Sequence, residues 1–585
     1  GLGIGAVALW LSVQIVDLGF VFSLAEIPGL RPDFVALGLA MLLVSAPALL
    51  LVLLPALAFT MLMLWISLLT TTLAEISAIG RLFAVGGLFL WVIVAAKPAA
   101  RLWGHAPHLK FHFPGIHAPN GQSHYAPGNA LPLKSVLPDA FFFDPQEGPV
   151  ASTARLYRQK AAVQPQKASD ALDPVAVLEA WAARQRARHG PEHKPRMMMV
   201  ATSGGAYRAG FWTAMVLDAA MRDPELPDLA GNTRLITGAS GGMVGAAYFA
   251  ALLDVDKTGR VILPEAPILN RIEADILASQ TEGTGALPRH ETRFPVPRDS
   301  LSPVIRQLMG GDILSLFSTR ARSVDRGTVL EDQWLALDVS FDDLAAGERA
   351  GWRPSLIFSP MLVETGQPLL ISNLDMAETI DAAENDETVA FFEWFPAARK
   401  TFKIKTAVRM NASFPYVSPS TALPTEPYLR VVDAGYYDNY GIDAAVAYLS
   451  RAAIQKWLLE NCSGVGLLEI RAFPSPGLPE AGPKPWSRAL QWLTTPMQAI
   501  FAARSSTMTF RNRQSFGRQR QIFGALSRDP DFLRRFRFEV NSQTSLSWYM
   551  PKEELDEMRT VLESHEISSR LAELRHWWQA PPPAP

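Results

Sequence analysis

A serine lies inside a cluster of small residues in the stretch RLITGASGGMVGAAYF, residues 234–249. Residues 235–237 predict the end of a strand, and the apolar residues 243–253 predict a helix. G-x-S-x-G at such a strand-to-helix turn is typical of a nucleophile elbow, where small neighbours allow the sharp turn that exposes the serine hydroxyl. The helix dipole and the N–H of Gly241 would stabilise an oxyanion beside the hydroxyl. Ser240 is therefore a candidate nucleophile, and a Gly-rich bend without chemistry is the alternative.

A second strand–turn–helix pattern lies about thirty residues upstream. The apolar run 196–202 predicts a buried strand, Gly204 and Gly205 predict a tight turn, and the following apolar spacing is helical. The free N–H groups at such a helix start can bind an anion. The stretch matches neither G-x-x-x-x-G-K-[ST] nor G-x-G-x-x-G, so it does not indicate a nucleotide-phosphate site. It predicts an oxyanion cradle with Arg208 beside it, or a purely structural turn.

A nucleophilic serine needs a base. After His193, the sequence has only His290, His565 and His576, and the last two lie in a charged helical tail. Asp433 is the better candidate, because it follows the predicted strand end at residues 431–432, and catalytic groups gather at the carboxyl ends of strands in α/β proteins. A buried, hydrogen-bonded aspartate can take the serine proton directly. An ordinary aspartate at a strand-to-turn boundary is the alternative.

The three motifs, in this order, resemble those of the patatin-like phospholipases, which share a serine–aspartate dyad with the cytosolic phospholipase A2 catalytic domain. The resemblance covers roughly residues 196–449. It includes RMNASFPYVSP at 409–419 and SLIFSPMLVETGQP at 355–368, and SLSWYMPKEEL at 545–555 is a late family-like segment. It implies a three-layer α/β/α hydrolase domain. It also implies a Ser240–Asp433 dyad, a role for Arg208 in binding substrate phosphate or supporting the loop, and an oxyanion hole formed by Gly204, Gly205, Ala206 and Gly241.

This chain departs from the family pattern in the oxyanion loop. Ala206 and Ala209 replace glycines there, and Ala434 replaces the glycine that follows the aspartate. If position 206 needs a positive φ, alanine costs about 1 kcal/mol of strain or shifts the loop. The loop is closer to the S-G-G-G-x-R-A version of cytosolic phospholipase A2.

The composition indicates a membrane-embedded part. The 585 residues are 49% hydrophobic and 19% charged, and residues 34–74 contain no charged residue, a length sufficient for two membrane spans. Residues 79–96 and 2–24 are further span candidates. Basic residues at Lys97, Arg101 and Lys110 favour a cytoplasmic catalytic domain. The sequence thus predicts a multi-pass protein of a bacterial inner membrane.

The domain order follows from these segments. Residues 1–96 are expected to form a transmembrane helical region of three to four spans, and residues 97–195 a Pro- and His-rich linker with a lead-in helix that Asp173 caps. Residues 196–450 are expected to form the catalytic domain, with an insertion at about 255–345. Residues 451–585 are expected to form a helical, Arg-rich extension packed on it.

Three further features allow more than one interpretation. Apolar residues between Leu301 and Phe317 predict either a lid over the active site or ordinary packing. Residues 254–265 fit a calcium-binding EF-hand loop loosely, and a polar turn is favoured. Between Arg504 and Arg537, nine arginines stand against two acidic residues, which suits anionic lipid headgroups, nucleic acid or a solvated face.

The function predicted from the sequence is a membrane-anchored serine lipid acyl hydrolase of the phospholipase A or lysophospholipase type. The expected partners are a phospholipid or other lipid ester and the membrane bilayer, without nucleic acid, and neither a cofactor nor a metal is expected. The net charge of −2 and the single cysteine, Cys462, agree with the absence of a polyanion site and of a Cys-rich metal site. A hydrolase of another lipid ester or thioester, and a catalytically inactive membrane scaffold, are the alternatives.

Overall fold

A computed structural model describes residues 170–282, 296–308, 312, 325–376, 389–413, 418–423, 429–474, 507–541 and 545–581. All of them belong to one compact unit, Phe111–Pro585. The described strands are β1 Arg196–Thr202, β2 Thr233–Gly238, β3 Asp254–Val255, β4 Val261–Ile262, β5 Ser355–Phe358, β6 Met361–Leu362, β7 Leu369–Leu370, β8 Val389–Ala390, β9 Thr421–Ala422, β10 Arg430–Val432, β11 Gly464–Arg471 and β12 Leu533–Glu539.

The described helices surround these strands. They are α1 Pro174–His189, α2 Ala206–Met221, α3 Leu229–Asn232, α4 Gly242–Leu252, α5 Ile268–Glu282, α6 Leu301–Gln307, α7 Arg326–Glu331, α8 Phe341–Arg349, α9 Phe391–Trp394, α10 Ile404–Asn411, α11 Ile442–Ser450, α12 Ala452–Asn461, α13 Met508–Ser527, α14 Lys552–Leu562 and α15 His565–Gln579. Short 3₁₀ turns lie at Leu335–Leu337, Pro396–Lys400 and Ala434–Tyr436.

The central sheet has five parallel strands in the order β12-β11-β1-β2-β5. Strand β1 is a run of apolar residues because helices cover both faces of a parallel sheet. Met198 and Val200 pack into one hydrophobic cluster, with residues of α2 and α4. Met197 and Met199 pack into a second cluster, with residues of α1, α11 and α12. The fold is therefore α/β, with helices on both faces of the sheet.

The lead-in helix begins where the sequence predicts it. The Asp173 carboxylate accepts a hydrogen bond from the N–H of Val175 at 2.9 Å, and Pro174 occupies the first turn. Both features stabilise a helix N-terminus, because the cap satisfies a free N–H and proline is pre-set for the helical φ.

Residues 451–585 differ from the predicted helical extension, because they supply two of the five central strands. Strand β11 lies between β12 and β1 and pairs with β1 from Arg196 to Thr202. In β12, Leu533, Phe536 and Phe538 are buried while the arginines between them reach partly to solvent. Buried apolar residues interspersed with partly exposed arginines are typical of a half-exposed edge strand. The number of arginines makes this strand difficult to recognise from the sequence.

The prediction of a multi-pass membrane protein is contradicted. Among the residues described, no helix combines the length and the apolar character needed to cross a bilayer. The segments that carried the predicted spans, within residues 1–96, lie outside the described residues, as does the His-rich linker up to residue 169. The transmembrane region predicted to precede the α/β domain therefore has no support.

Candidate active site

Ser240 lies at the tip of the turn between β2 and α4. Its φ is +48°, in the left-handed region that non-glycine residues rarely adopt. The N–H of Ser240 donates to the Asn411 carbonyl at 3.0 Å, and the Ser240 carbonyl accepts from Met243 at 3.1 Å. A serine strained in this way between a strand end and a helix start has the backbone geometry of a nucleophile elbow.

The turn between β1 and α2 lies so close to the serine motif that no side chain fits at the glycines on either side of Ser240. A Cβ at Gly241 would overlap the carbonyl oxygen of Ala206, and a Cβ at Gly238 would overlap the Thr202 hydroxyl. The two strand ends are paired in register, Thr202 opposite Gly238. The small residues of the serine motif therefore let the two turns pack directly against each other.

The upstream turn offers hydrogen-bond donors next to the serine. Gly205 has φ +142° and Ala206 has φ +47°, at the start of α2. Within the described part of the chain, the N–H groups of Gly205, Ala206 and Gly241 have no hydrogen-bond acceptor. Unpaired N–H groups at two adjacent helix starts are suited to binding a developing negative charge. Ala206 therefore has the positive φ at which alanine, in place of the glycine of the family pattern, is strained.

Gly204 has a different role from the other oxyanion candidates. Its N–H donates to the Asn439 carbonyl at 2.9 Å. A Cβ at Gly204 would overlap the Asn439 side-chain oxygen and approach the Ser240 Cβ to 3.1 Å. Gly204 thus joins the serine turn to the segment of Asn439, and its own N–H is already occupied.

Asp433 follows β10, which belongs to a separate antiparallel sheet of order β6-β10-β9 and not to the central sheet. The carboxyl group is fully buried, and its Oδ1 accepts from the Gly435 N–H at 2.7 Å. The Asp433 N–H donates to the Ser413 carbonyl at 3.3 Å. Burial and these hydrogen bonds fix the position of the carboxylate.

The segment that follows Asp433 contacts both turns of the serine site. Asn439 lies against Gly204, and a Cβ at Gly441 would come within 2.5 Å of the Gly238 Cα. Gly441 has φ +68°, so glycine suits this position for its backbone as well. The fold therefore packs the Asp433 segment on the turns that flank Ser240.

Asn411 is a residue of the site that the sequence motifs do not identify. Its side-chain N–H donates to the Gly238 carbonyl at 3.0 Å, and its Oδ1 accepts from the Ser359 N–H at 3.0 Å. Its own carbonyl binds the N–H of Ser240. Asn411 is fully buried at the end of α10. An asparagine ending a helix in the RMNASFPYVSP block is the available sequence signal, but the partners are distant in the chain.

Arg208 lies in the first turn of α2 and is 5% exposed. Its guanidinium stacks over the Phe473 ring, 4.8 Å from the centroid. Burial lowers the arginine pKa, and Glu554 and Glu557 oppose that shift. These contacts favour support of the oxyanion loop, and binding of a substrate phosphate stays a prediction.

A buried acidic pair anchors the Asp433 segment to α13. Asp438 accepts from the Asp443 N–H at 2.7 Å and from the Asn512 side chain at 2.8 Å. Burial raises the pKa of Asp438. Burial and the adjacent Asp438 raise the pKa of Asp443 to about 7, while its ion pair with Arg511 acts in the opposite direction.

Other sequence candidates lie elsewhere. His565 and His576 are on α15, which packs on the edge strand β12, and β11 and β1 separate that strand from β2. The EF-hand-like stretch forms the hairpin β3–β4, where the Asp256 carboxylate binds the N–H groups of Thr258 and Arg260. Of the predicted lid, α6 is described, with Val304 buried and Ile305 exposed, whereas residues 313–317 are outside the described part.

Comparisons with known proteins give low similarity. No family model matches the sequence, and no curated protein matches it. Human GIVD cytosolic phospholipase A2 is 11% identical at a TM-score of 0.27, over 54% of this chain and 54% of the human protein. VipD from Legionella pneumophila is 12% identical at a TM-score of 0.23, over 64% of this chain and 67% of VipD. The chain therefore spans about half the length of the human protein that it matches.

Proposed function

We propose that this chain is a serine hydrolase that cleaves acyl esters of lipids, of the phospholipase A or lysophospholipase type. The single observation that carries the proposal is the left-handed backbone of Ser240 at a strand-to-helix turn packed against a second helix start. A purely structural bend would not need a strained serine at this position, since glycine would adopt the same φ without cost.

The proposed reaction begins with attack of the Ser240 hydroxyl oxygen on the ester carbonyl carbon. The hydroxyl proton passes to the Asp433 carboxylate. The tetrahedral oxyanion is bound by N–H groups of Gly205, Ala206 and Gly241, which have no other acceptor among the described residues. The carbon–oxygen bond to the alcohol then breaks, and Asp433 returns the proton to the leaving oxygen.

The second half of the reaction releases the acyl group. Water attacks the acyl-Ser240 carbonyl and gives a proton to Asp433. Collapse of the second tetrahedral intermediate breaks the bond to Ser240, which takes the proton back, and the carboxylic acid leaves. Asp433 is suited to these proton transfers because its carboxyl group is buried and the Gly435 N–H fixes its position.

Access to the site is part of the proposal. Ser240 is 3% exposed, so a lipid reaches it only after covering residues move. Helix α6 is a candidate for this movement because it is attached beside the oxyanion candidates: the hydroxyl of Ser300, which precedes it, is hydrogen-bonded to that of Tyr207 in α2, and this bond would break as α6 moves. Lids of this kind exclude water from the reaction once the substrate has bound.

The test is fatty-acid release from a panel of phospholipids, lysophospholipids, neutral lipids and acyl thioesters by the purified chain. We expect release from one or more of the oxygen esters, and none above background with Ser240→Ala or Asp433→Asn. Cleavage of the acyl thioesters alone would show that the substrate is a thioester and not an oxygen ester. Release that is unchanged in Ser240→Ala would contradict the proposed nucleophile, and unchanged release in Asp433→Asn would contradict the dyad.

A further inference from the structure

Helix α13 presents a basic face to solvent. Its buried side consists of apolar and uncharged polar residues, and the apolar Met508, Phe516 and Phe523 pack toward the sheet. The flanks of the buried side carry four exposed arginines, two on each, and the helix contains no acidic residue. Large apolar side chains are also exposed on this helix. We call the exposed residues Phe510, Arg513, Arg518, Ile522 and Leu526 the α13 face.

The apolar side chains of the α13 face are exposed to solvent. Phe510 is 54% exposed, Ile522 is 41% exposed and Leu526 is 57% exposed. The Arg513 guanidinium lies 5.9 Å from the centroid of the Phe510 ring. With 3.6 residues per turn, Phe510 lies between Arg513 and Arg518 on the helix, whereas Ile522 and Leu526 lie beyond Arg518, toward its flank. Exposed arginines interleaved with apolar side chains are typical of helices that lie at the boundary of headgroups and acyl chains.

The charges of the α13 face are not neutralised by the rest of the described chain. Arg511 pairs with Asp443 and Arg520 with Asp531. For Arg513 and Arg518, the described residues offer no acidic partner within 4.0 Å. Two arginines that no described acidic residue neutralises, beside three exposed apolar side chains, favour a partner that is both anionic and apolar.

We propose that the α13 face docks on an anionic lipid bilayer. The headgroups would bind Arg513 and Arg518, while Phe510, which lies between them on the helix, would enter the headgroup–acyl boundary. Ile522 and Leu526 would contact the same boundary from the flank beside Arg518. A nucleic acid could stack a base on Phe510, but the aliphatic Ile522 and Leu526 have no such partner in it. The mixture of basic and aliphatic residues therefore favours the bilayer over a nucleic acid.

The position of α13 connects this surface to the candidate site. Arg511, at the start of the helix, donates to the Tyr437 carbonyl at 2.9 Å, and Asn512 binds the buried Asp438. Tyr436, next to this contact, is 36% exposed. Docking would therefore bring the Asp433 segment close to the lipid surface. That consequence rests on the proposed function, whereas docking itself does not require Ser240 to be a nucleophile.

The test is co-sedimentation of the full chain with vesicles of phosphatidylcholine alone or mixed with phosphatidylglycerol. We expect binding to the anionic vesicles, and its loss at about 0.5 M salt, where charges are strongly screened. Each arginine near an anionic surface contributes about fivefold to affinity. Arg513→Gln combined with Arg518→Gln should therefore weaken binding by about 25-fold. Arg511 is kept intact because it holds the Asp433 segment.

A matched control removes two charges elsewhere. Arg559 and Arg570 on α14 and α15 have side chains 47% and 43% exposed, each paired with an acidic residue of its own helix. Arg559→Gln combined with Arg570→Gln should bind vesicles within about twofold of the original chain, since these charges are already neutralised. Thermal unfolding of all variants shows whether they are folded.

Three results would overturn docking. These are equal binding to neutral and anionic vesicles, unchanged binding of the Arg513 and Arg518 double variant, and binding of duplex DNA through the α13 face without binding of vesicles. Ser240→Ala should bind vesicles like the original chain. Vesicle binding without hydrolysis would contradict the proposed function alone, and hydrolysis of a soluble ester without vesicle binding would contradict docking alone.

Discussion

Ala206 is one of four non-glycine residues with a positive φ among those that the structure describes. Its φ of +47° places it in the left-handed region, where a Cβ costs roughly 1–2 kcal/mol. Ala206→Gly removes this strain but adds freedom to the unfolded chain, so we expect the free energy of unfolding to rise by about 0.5–1 kcal/mol. Denaturant unfolding measures it.

Ala209, three residues later in α2, is the matched control. It is helical and has no positive φ. Ala209→Gly should therefore lower the free energy of unfolding by about 0.5–1 kcal/mol. Equal effects of the two substitutions would show that the conformation at residue 206 is not strained.

Asn411 positions the serine turn through its contacts with Gly238 and Ser359. Asn411→Ala leaves a buried carbonyl and a buried N–H without partners and frees the turn. We expect kcat to fall about tenfold or more, with a much smaller change in KM, because small misplacements of a nucleophile slow the reaction strongly.

Steady-state kinetics on a soluble ester measure this split. Asn411→Asp retains the oxygen that accepts from Ser359 but places a buried carboxylate oxygen against the Gly238 carbonyl, so its kcat should be no higher than that of Asn411→Ala. A folded Asn411→Ala with the original kcat would exclude the positioning role.

At the scale of elements, the local patterns predict the parts of the site but not what joins them. The apolar run of β1, the small residues around Ser240 and the Asp173 cap each identify an element from neighbouring residues. The contacts of Asn411 with the β2–α4 turn, and of Asn439 with Gly204, join residues that are far apart in sequence. Periodicity carries no information about such pairs.

The acidic pair makes the anchoring of the Asp433 segment sensitive to pH. The pKa of Asp443 is raised to about 7 from an ordinary value of 3.8. Between these values the folded chain holds a proton that the unfolded chain has lost, so stability from this group is greatest at low pH and is lost as pH rises through about 7.

Asp443→Asn keeps the group neutral at every pH and should remove this loss. We expect the difference in Tm between Asp443→Asn and the original chain to increase from about pH 5 to about pH 8. Thermal unfolding in a buffer series measures it. A difference that is constant over this range would show that Asp443 does not titrate there.

Over the whole molecule, the fold class follows from local sequence patterns, whereas the pairing of distant strands does not. The α/β class follows from the strand–turn–helix repeats of β1 and β2. The assignment of residues 451–585 to a helical extension did not anticipate β11 and β12, because parallel pairing with β1 depends on residues hundreds of positions apart. The multi-pass prediction depended on hydropathy alone, and the described helices contradict it.

The position of β11 inside the sheet leads to a prediction about truncation. A chain that ends at residue 450 lacks β11 and β12 and exposes the long edge of β1, which is apolar on both faces. We expect this fragment to aggregate or to unfold without a cooperative transition, unlike the full chain. Thermal unfolding followed by circular dichroism tests it, and a cooperative transition of the fragment would contradict the role of β11.

Ser240 is proposed to be the nucleophile of an assembled site. Fluorophosphonate labelling followed by intact mass and peptide analysis tests it most directly, because the probe reacts with activated serines irrespective of the lipid substrate. We predict one adduct on the original chain, located at Ser240, and none on the Ser240→Ala variant. No adduct on the folded original chain, or an adduct that persists in Ser240→Ala, would show that Ser240 is not an activated nucleophile.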